Sequence, residues 1–409
     1  MKRVFEIALG ILTAIGGFVD IGELVAGSQV GSRFGMNLAW ATLLSLFGIV
    51  VFAEMAGRVA AVSQRPVFDL VRERLGPRFG LANLLASLVI TLATVAAEIG
   101  GVALTLELAT SINYLLWVPV VAFLVWVVVW KLNFEVMENA FGLSGLALVV
   151  TGIAVWQLGP DWGNVAHQVL HPAKPGTESV ASYFYYAIAL FGAGLMPYEV
   201  FFFSSGAIEQ HWAKRDLPVL RANVFIGFPL GAAVTLSLML GASLVLGPRQ
   251  IDVGNLYQAA LPTSVALGKW ALIVVLLGFF ACTFGAALET TLACGYSIAQ
   301  YFGWQWGKFV APKDDARFHL SLILTLVAAA AVLLSRADPV KLTEFVIVLS
   351  AAALPLTYFP VLVVANDPEY MGVKTNTPVS NALGVAFLVL LLVVSVAALP
   401  LMIITKAGG

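Results

Sequence analysis

GGFVDIGELVAG, residues 16–27, sets the terms on which this chain folds. It places two carboxylates, Asp20 and Glu23, in a run that is otherwise glycine and aliphatic side chain, and no Lys, Arg or His occurs between Arg3 and Arg33. The surroundings make that placement expensive. Of 409 residues, 60% are hydrophobic and only 11% charged, and the mean hydropathy is +0.94, so apolar residues dominate almost every window of membrane-spanning length. A soluble core of this size would need a charged shell that the composition cannot supply. The chain is expected to be solvated by lipid, where only helices or closed barrels satisfy every backbone N–H and C=O. Its apolar segments run about twenty residues without the two-residue alternation of a barrel strand, so helices are expected.

An ionised carboxylate at mid-bilayer costs about 2.5–3.5 kcal/mol on insertion scales. Two of them about 5 Å apart, at an effective dielectric near 20, repel by roughly 3 kcal/mol more. A cation or a proton should therefore sit between Asp20 and Glu23: a metal ion, an organic amine or H⁺. Unwinding around Gly22 would turn backbone carbonyls toward the same cavity, making a site of mostly hard oxygen suited to Mg²⁺, Mn²⁺ or Ca²⁺.

Outward from this stretch, hydrophobic runs between polar breaks predict eleven spans, at about 8–32, 36–60, 82–108, 113–130, 142–157, 181–204, 220–247, 266–300, 318–335, 341–365 and 380–405. The start, MKRVFEIALGILTAIGG, imitates a secretory leader, but its apolar run continues past Asp20 to Val30, which favours a first spanning helix. The sixth span, YFYYAIALFGAGLMPYEVFFF, is interrupted at GAGLMP, residues 192–197, as the first is at GGFVDIGE. Glycine frees the backbone and proline removes a helical donor, so both helices can unwind near mid-membrane. Matching breaks in spans one and six, five spans apart, are the footprint of an inverted-repeat transporter whose site lies between broken helices. The expected fold is an all-α polytopic membrane protein with a LeuT-type 5+5 inverted repeat plus one extra helix. The first repeat would occupy 1–157, and the second 158–365 after an outer loop at 158–180. A loop and peripheral helix would fill 366–409.

Most of the 22 basic residues, including Arg58, Arg72, Arg78, Lys214, Arg221 and Lys308, fall in connections on one side. The positive-inside rule then puts the N-terminus in the cytoplasm and the C-terminus outside, in a plasma (inner) membrane. A net charge of −1 without basic clusters leaves no footprint for nucleic acid. The partners expected are lipid and a divalent ion, with no obligate protein partner and no resident cofactor. Cys282 and Cys294, twelve residues apart in one apolar segment, read as small buried hydrophobes. No nucleotide-binding, nucleophile-elbow or metalloprotease motif is present, so an enzyme is not expected.

At the second break, Ala193 and Gly194 can expose carbonyls and Met196 can offer a thioether. Tyr198 and Glu199 follow as candidates for the site's rim. Glu98, in AAEIGG on span three, and Glu289, in GAALETTLA on span eight, are buried acids that either bond between helices or belong to an ion route. His167 and His171 have helical spacing but sit in a polar loop, where metal binding is not favoured.

In order along the chain, these fragments resemble the NRAMP divalent-metal transporters. DIGE at 20–23 resembles the family's Asp-Pro-Gly-Asn break, and GAGLMPYEVFFFSS at 192–205 its Ala-x-x-Met-Pro-His element followed by a second histidine. AEIGGVA at 97–103 is similar to the family's Ala-Glu-x-Ile-Gly segment, and LPLTYFP with MGVKTN at 371–376 also fits. The resemblance implies that Asp20 ligates the ion, that Glu23 supplies a side-chain oxygen, and that Ala193 O and the Met196 sulfur contribute. It also exposes departures: Glu23 stands for the family's Asn, Ile21 for its Pro, Tyr198 and Phe203 for its two histidines, and Val95 for an Asp. The family associates those histidines and that Asp with proton movement, so their replacement implies transport without proton coupling. The extra carboxylate suits hydrated Mg²⁺, a pattern that looks like the NRAMP-related magnesium transporters. The expected function is thus carriage of Mg²⁺, and also Mn²⁺, by alternating access. Three alternatives stand beside it: a proton-coupled Mn²⁺/Fe²⁺ symporter of ordinary NRAMP type, an organic-amine or amino-acid symporter, and a non-transporting membrane scaffold.

Overall fold

A computed structural model describes residues 19–408, and among these the regular secondary structure is entirely helical. The first half holds α1 (Ile21–Phe34), α2 (Ala39–Ser63), α3 (Val67–Leu75), α4 (Pro77–Thr110), α5 (Tyr114–Lys131), α6 (Phe134–Gly145) and α7 (Val149–Leu158). After α8 (Trp162–Leu170), the second half holds α9 (Val180–Ala193), α10 (Pro197–Glu209), α11 (Leu217–Ala222), α12 (Phe228–Val245), α13 (Leu256–Leu267) and α14 (Lys269–Phe302). It continues with α15 (Ala316–Leu334) and α16 (Pro339–Ala365); α17 (Pro368–Met371) and α18 (Pro378–Ile404) follow. Ten helical stretches among the described residues are long and apolar enough to cross a membrane, and α1 supplies the described part of the first expected span. The beginning of that span, and with it the leader-like segment, lies outside the described residues. The chain is an all-α polytopic membrane protein.

Local chemistry sets the helix ends. Asp20, Asn113, Ser179, Asp315, Asp338 and Thr377 each cap the N-terminus of their helix by accepting backbone N–H groups of its first turn. Proline opens α4, α10, α16 and α18, where its missing N–H costs nothing. The helices α4 and α14 are each 34 residues long and pack along one another. At about 1.5 Å per residue each exceeds a hydrocarbon core of about 30 Å, so each is long enough to cross tilted or to project beyond that core.

The broken elements are held by close backbone approach. Helix α1 packs on α12, where a Cβ at Gly31 would collide with the carbonyl of Met239. Helix α9 packs on α16, where a Cβ at Gly192 would collide with the carbonyl of Ile347. Small residues at such contacts let membrane helices approach closely enough for dispersion to hold them. The last helix, α18, packs on α16 and exposes Val385, Val389, Val393, Val396 and Ile403, as a peripheral helix facing lipid would.

Three short helices escape a reading by hydropathy. The loop expected at 158–180 contains α8, capped by Asp161. Helices α3 and α13 are 9 and 12 residues long, too short to span and therefore invisible to a window of membrane length. Cys282 and Cys294 are buried and free.

Candidate ion-binding site

Helix α1 begins at the first break. Asp20 is extended, with φ −112° and ψ −172°, and its Oδ1 accepts the N–H groups of Gly22 at 2.6 Å and Glu23 at 3.2 Å. Two orphan donors of the helix start are thus aimed at a carboxylate, and the helix dipole adds a positive end there. From α4, Glu98 reaches the same terminus, where its Oε1 accepts the N–H of Ile21 at 3.2 Å. From α10, the Tyr198 hydroxyl donates to Asp20 Oδ2 at 3.4 Å.

At the second break α9 ends at Ala193 and α10 starts at Pro197. Gly194 N–H bonds Leu190 O and Leu195 N–H bonds Gly192 O, so the turn tightens there before opening at Met196, whose φ −62° and ψ 140° are extended. Pro197 has no N–H to offer the carbonyl of Ala193 four residues earlier. That carbonyl is the one the family resemblance assigns to the ion.

The two breaks meet. A Cβ built on Gly22 would lie 3.6 Å from the Cβ of Ala193 and 3.1 Å from a side-chain carbon of Ile347, which also backs Gly192 with its carbonyl. The breaks are therefore clamped together against one point of α16. Asp20 is 1% exposed and Glu23 2% exposed, and Ala193, Gly194, Met196 and Tyr198 are buried as well.

Asp20 and Glu23 are thus buried together at the start of one helix, three residues apart, where each feels the charge of the other. Two carboxylates buried this close in sequence are stabilised when a proton or a cation is shared between them. Glu23 Oε2 and Glu98 Oε2 are buried without a protein partner. No three His, Cys, Asp or Glu side chains converge to enclose an ion directly among the described residues. The donor set at the breaks is instead two carboxylates, freed carbonyls and one thioether. That set can hold a cation of high charge density, completing its shell with water.

Of the further candidates, Glu199 lies in the electrostatic neighbourhood of Asp20 and Glu23, and Glu289 in that of Glu98 and Glu199. The rings of His167 and His171 lie 5.1 Å apart, tilted 46° to one another, on and just after α8, away from these breaks in the chain. Sequence reading did not find the clamp at Ile347 or the hydroxyl of Tyr358, which is buried, unbonded and within electrostatic reach of Glu199. An isoleucine in an apolar helix carries no signal, and a tyrosine among aliphatic residues reads as packing.

Comparison with known proteins agrees with this geometry. The pattern of natural resistance-associated macrophage protein-like (Nramp) proteins matches residues 10–400. A divalent metal cation transporter MntH from Aeromonas hydrophila is 24% identical over 397 residues, covering 93% of each chain. One from Mycobacterium leprae is 24% identical, covering 92% of this chain and 87% of that protein. Among solved structures, the manganese transporter of Eremococcus coleocola superposes with a TM-score of 0.73 at 18% identity, covering 95% of this chain and 85% of that one. A transporter of the nucleobase-cation-symport-1 family, in a closed conformation, superposes with a TM-score of 0.62 at 16% identity, covering 97% of this chain and 92% of that one. These likenesses are to membrane transporters and not to enzymes, and the match along almost the whole chain assigns it to the Nramp family.

Proposed function

We propose that this protein carries divalent metal cations across the plasma membrane by alternating access, taking mainly Mg²⁺ and also Mn²⁺ as a partly hydrated ion, without moving a proton in exchange or in company. The observation that carries this reading is the burial of both Asp20 and Glu23 at the start of α1, where it meets the break between α9 and α10. In this reading the ion is held by Asp20, Glu23, the carbonyls of Ala193 and Gly194, and more loosely Met196. The relatives' names as divalent metal cation transporters support the substrate class.

Selectivity for Mg²⁺ is argued from the donors. Magnesium releases its water reluctantly and takes one or two carboxylates with several waters retained. The pair of acids offers that, and a thioether offers it nothing. The absence of coupling is argued from what stands at the family's titratable positions. Tyr198 is buried against Asp20. Phe203 packs between Trp212 and Phe228, at ring distances of 6.0 and 6.2 Å. Val95 is buried within the apolar core. None of these side chains relays a proton near neutral pH. The N-terminus inside and the C-terminus outside complete the proposal, on the strength of the basic residues gathered on one side.

Flux into proteoliposomes tests this reading, with Mg²⁺ or Mn²⁺ indicators and a pH dye inside the same vesicles. Metal entry driven by its own gradient and the membrane potential, with no acidification, is the expected result. Acidification that tracks metal entry would instead establish a proton-coupled Mn²⁺/Fe²⁺ symporter, the reading that the thioether of Met196 and the buried Glu98 favour. A response to amines with none to metals would establish an organic-amine carrier.

A further inference from the structure

His167 and His171 take no part in the site between the breaks, and the structure changes how they read. In the sequence they fall in a polar loop, where a spacing of four means little. In the structure that stretch is α8, opened by the Asp161 cap. The N–H of His171 donates to His167 O at 2.8 Å, so the two side chains stand one helical turn apart on one face. Both are exposed, and their ring centroids lie 5.1 Å apart. With metal–nitrogen bonds of about 2.0–2.1 Å and a ring nitrogen about 1.1 Å from its centroid, two imidazoles on one tetrahedral ion have centroids about 5 Å apart. The pair is already at the separation that shared ligation needs. Among the described residues no group of three His, Cys, Asp or Glu encloses an ion, so the other positions fall to water and an ion here exchanges with solvent. Imidazole suits Zn²⁺, Ni²⁺ or Cu²⁺, whereas Mg²⁺ keeps to oxygen. The chemistry is the reverse of that offered by Asp20 and Glu23.

The same turn is fastened to the ends of both broken helices. Gln168 Oε1 accepts the N–H of Met36, just past α1, at 2.9 Å, and the N–H of Ala173 donates to Asn37 Oδ1 at 3.0 Å. Asn37 O in turn accepts the Tyr183 hydroxyl of α9 at 3.1 Å. Gly35, at φ 60°, makes room for this junction: a Cβ there would lie 2.7 Å from Gln168 Oε1. His171 caps α8 at φ −126° and ψ 64°, where the helix has already ended. An ion shared by His167 and His171 would pin this last turn, and through Gln168 and Ala173 the ends of α1 and α9.

We propose that His167 and His171 form a second metal site, for a borderline divalent ion such as Zn²⁺, and that an ion bound there slows transport by holding the ends of α1 and α9 together. In the proposed orientation this turn faces outside. The binding site stands on its own geometry; its effect on flux rests on the metal-transport reading above. Because the two sites take different ions, the second responds to Zn²⁺ while Mg²⁺ passes through the first.

Calorimetric titration of Zn²⁺ into the purified full chain, free of any histidine tag and carrying Asp20→Asn/Glu23→Gln to neutralise the buried acids, tests the site directly. One Zn²⁺ per chain should bind, and adding His167→Ala or His171→Ala should weaken it at least about tenfold. No binding of Zn²⁺, or binding as tight without either histidine, overturns the proposal. In the chain with Asp20 and Glu23 intact, His171→Ala should likewise remove one bound Zn²⁺, and an unchanged stoichiometry also overturns it. In proteoliposomes, external Zn²⁺ should lower kcat for Mg²⁺ entry at least about threefold with little change in KM. His171→Ala, which without zinc should transport as the unaltered chain does, should escape that inhibition. Zinc that only raises KM, as a competing substrate would, or that slows both chains equally, overturns the brake. Failure of the transport reading looks different: the unaltered chain then moves neither Mg²⁺ nor Mn²⁺ even without zinc, and the calorimetry alone decides the site.

Discussion

Asp20 does two jobs with one carboxylate, and chemistry can separate them. As a helix cap it accepts two backbone N–H groups; in the proposed function its charge holds the ion. Asparagine caps a helix about as well as aspartate, whereas alanine loses about 0.5–2 kcal/mol. Asp20→Asn should therefore abolish metal flux while leaving the melting temperature nearly unchanged, and Asp20→Ala should lose both; flux and thermal unfolding measured on the same preparations check the pair. The variant Glu23→Asn, which restores the family residue at that position, should shift preference from Mg²⁺ toward Mn²⁺, as competition between the two ions in flux would show. Equal competition before and after that change would count against the role assigned to the second carboxylate. The two acids are plain in the sequence because charge in an oily run has few bland explanations. Tyr198 is the opposite case: its hydrogen bond to Asp20 joins residues 178 apart, and no local pattern announces it.

At the scale of elements, the break between α9 and α10 depends on one missing donor. Pro197→Ala returns an N–H four residues after Ala193 and should let the helix run on, tying up the Ala193 carbonyl proposed as a ligand. Mn²⁺ affinity should fall at least about tenfold while the protein keeps or gains stability; an unchanged affinity would remove Ala193 O from the proposed ligand set. The loop between α14 and α15 offers a test by pH. Glu209 Oε1 accepts the Tyr296 hydroxyl at 2.8 Å and the backbone N–H of Lys308 at 2.6 Å, and the Lys308 ammonium itself has the sulfur of Met137 for a partner at 3.5 Å. Burial, opposed by the charge of Glu209, pulls the Lys308 ammonium down to about 8. The unfolded chain holds that proton to about pH 10. Between these values the unfolded state binds more protons than the folded one, so this lysine's contribution makes stability rise with pH across that window; below about pH 8 its burial penalty is constant and complete. The melting temperature relative to Lys308→Met should climb from pH 8 to 10, and parallel curves for the two proteins would refute the assignment.

Across the whole molecule, distant segments are tied together on the side that carries most of the basic residues. Arg58 of α2 is buried, pairs with Glu54 one turn before it, and donates to Lys374 O and Asn376 Oδ1 at 2.5 Å each, beyond the end of α16. Arg221 of α11 shares Glu54 at 3.1 Å. A carrier that alternates between two openings must break such a tie whenever these segments part. Arg58→Ala should speed backbone hydrogen exchange at residues 372–381 at least about tenfold, measured by mass spectrometry on the detergent-solubilised chain, while α4 and α14 stay protected. Uniform exchange across the chain would show that Arg58 supports the fold as a whole and not this connection.

The amino-acid sequence by itself determined that this is a helical membrane protein, where most of its spans lie to within about five residues, and that a helix starts at Asp20 and another breaks before Pro197, whereas the fifth span begins eight residues before the expected 142. Those features are local: twenty apolar residues, a proline without its N–H and a capping carboxylate act through backbone atoms only a few positions away. Only the tertiary structure decided that the two breaks touch, that Ile347 clamps both, that Glu98 reaches Ile21 N–H, and that Glu199 Oε2 and the Tyr358 hydroxyl are buried without a hydrogen-bond partner. Those are choices of helix packing, set by where glycine lets backbones approach, and an apolar helix looks alike on every side until its neighbour is known.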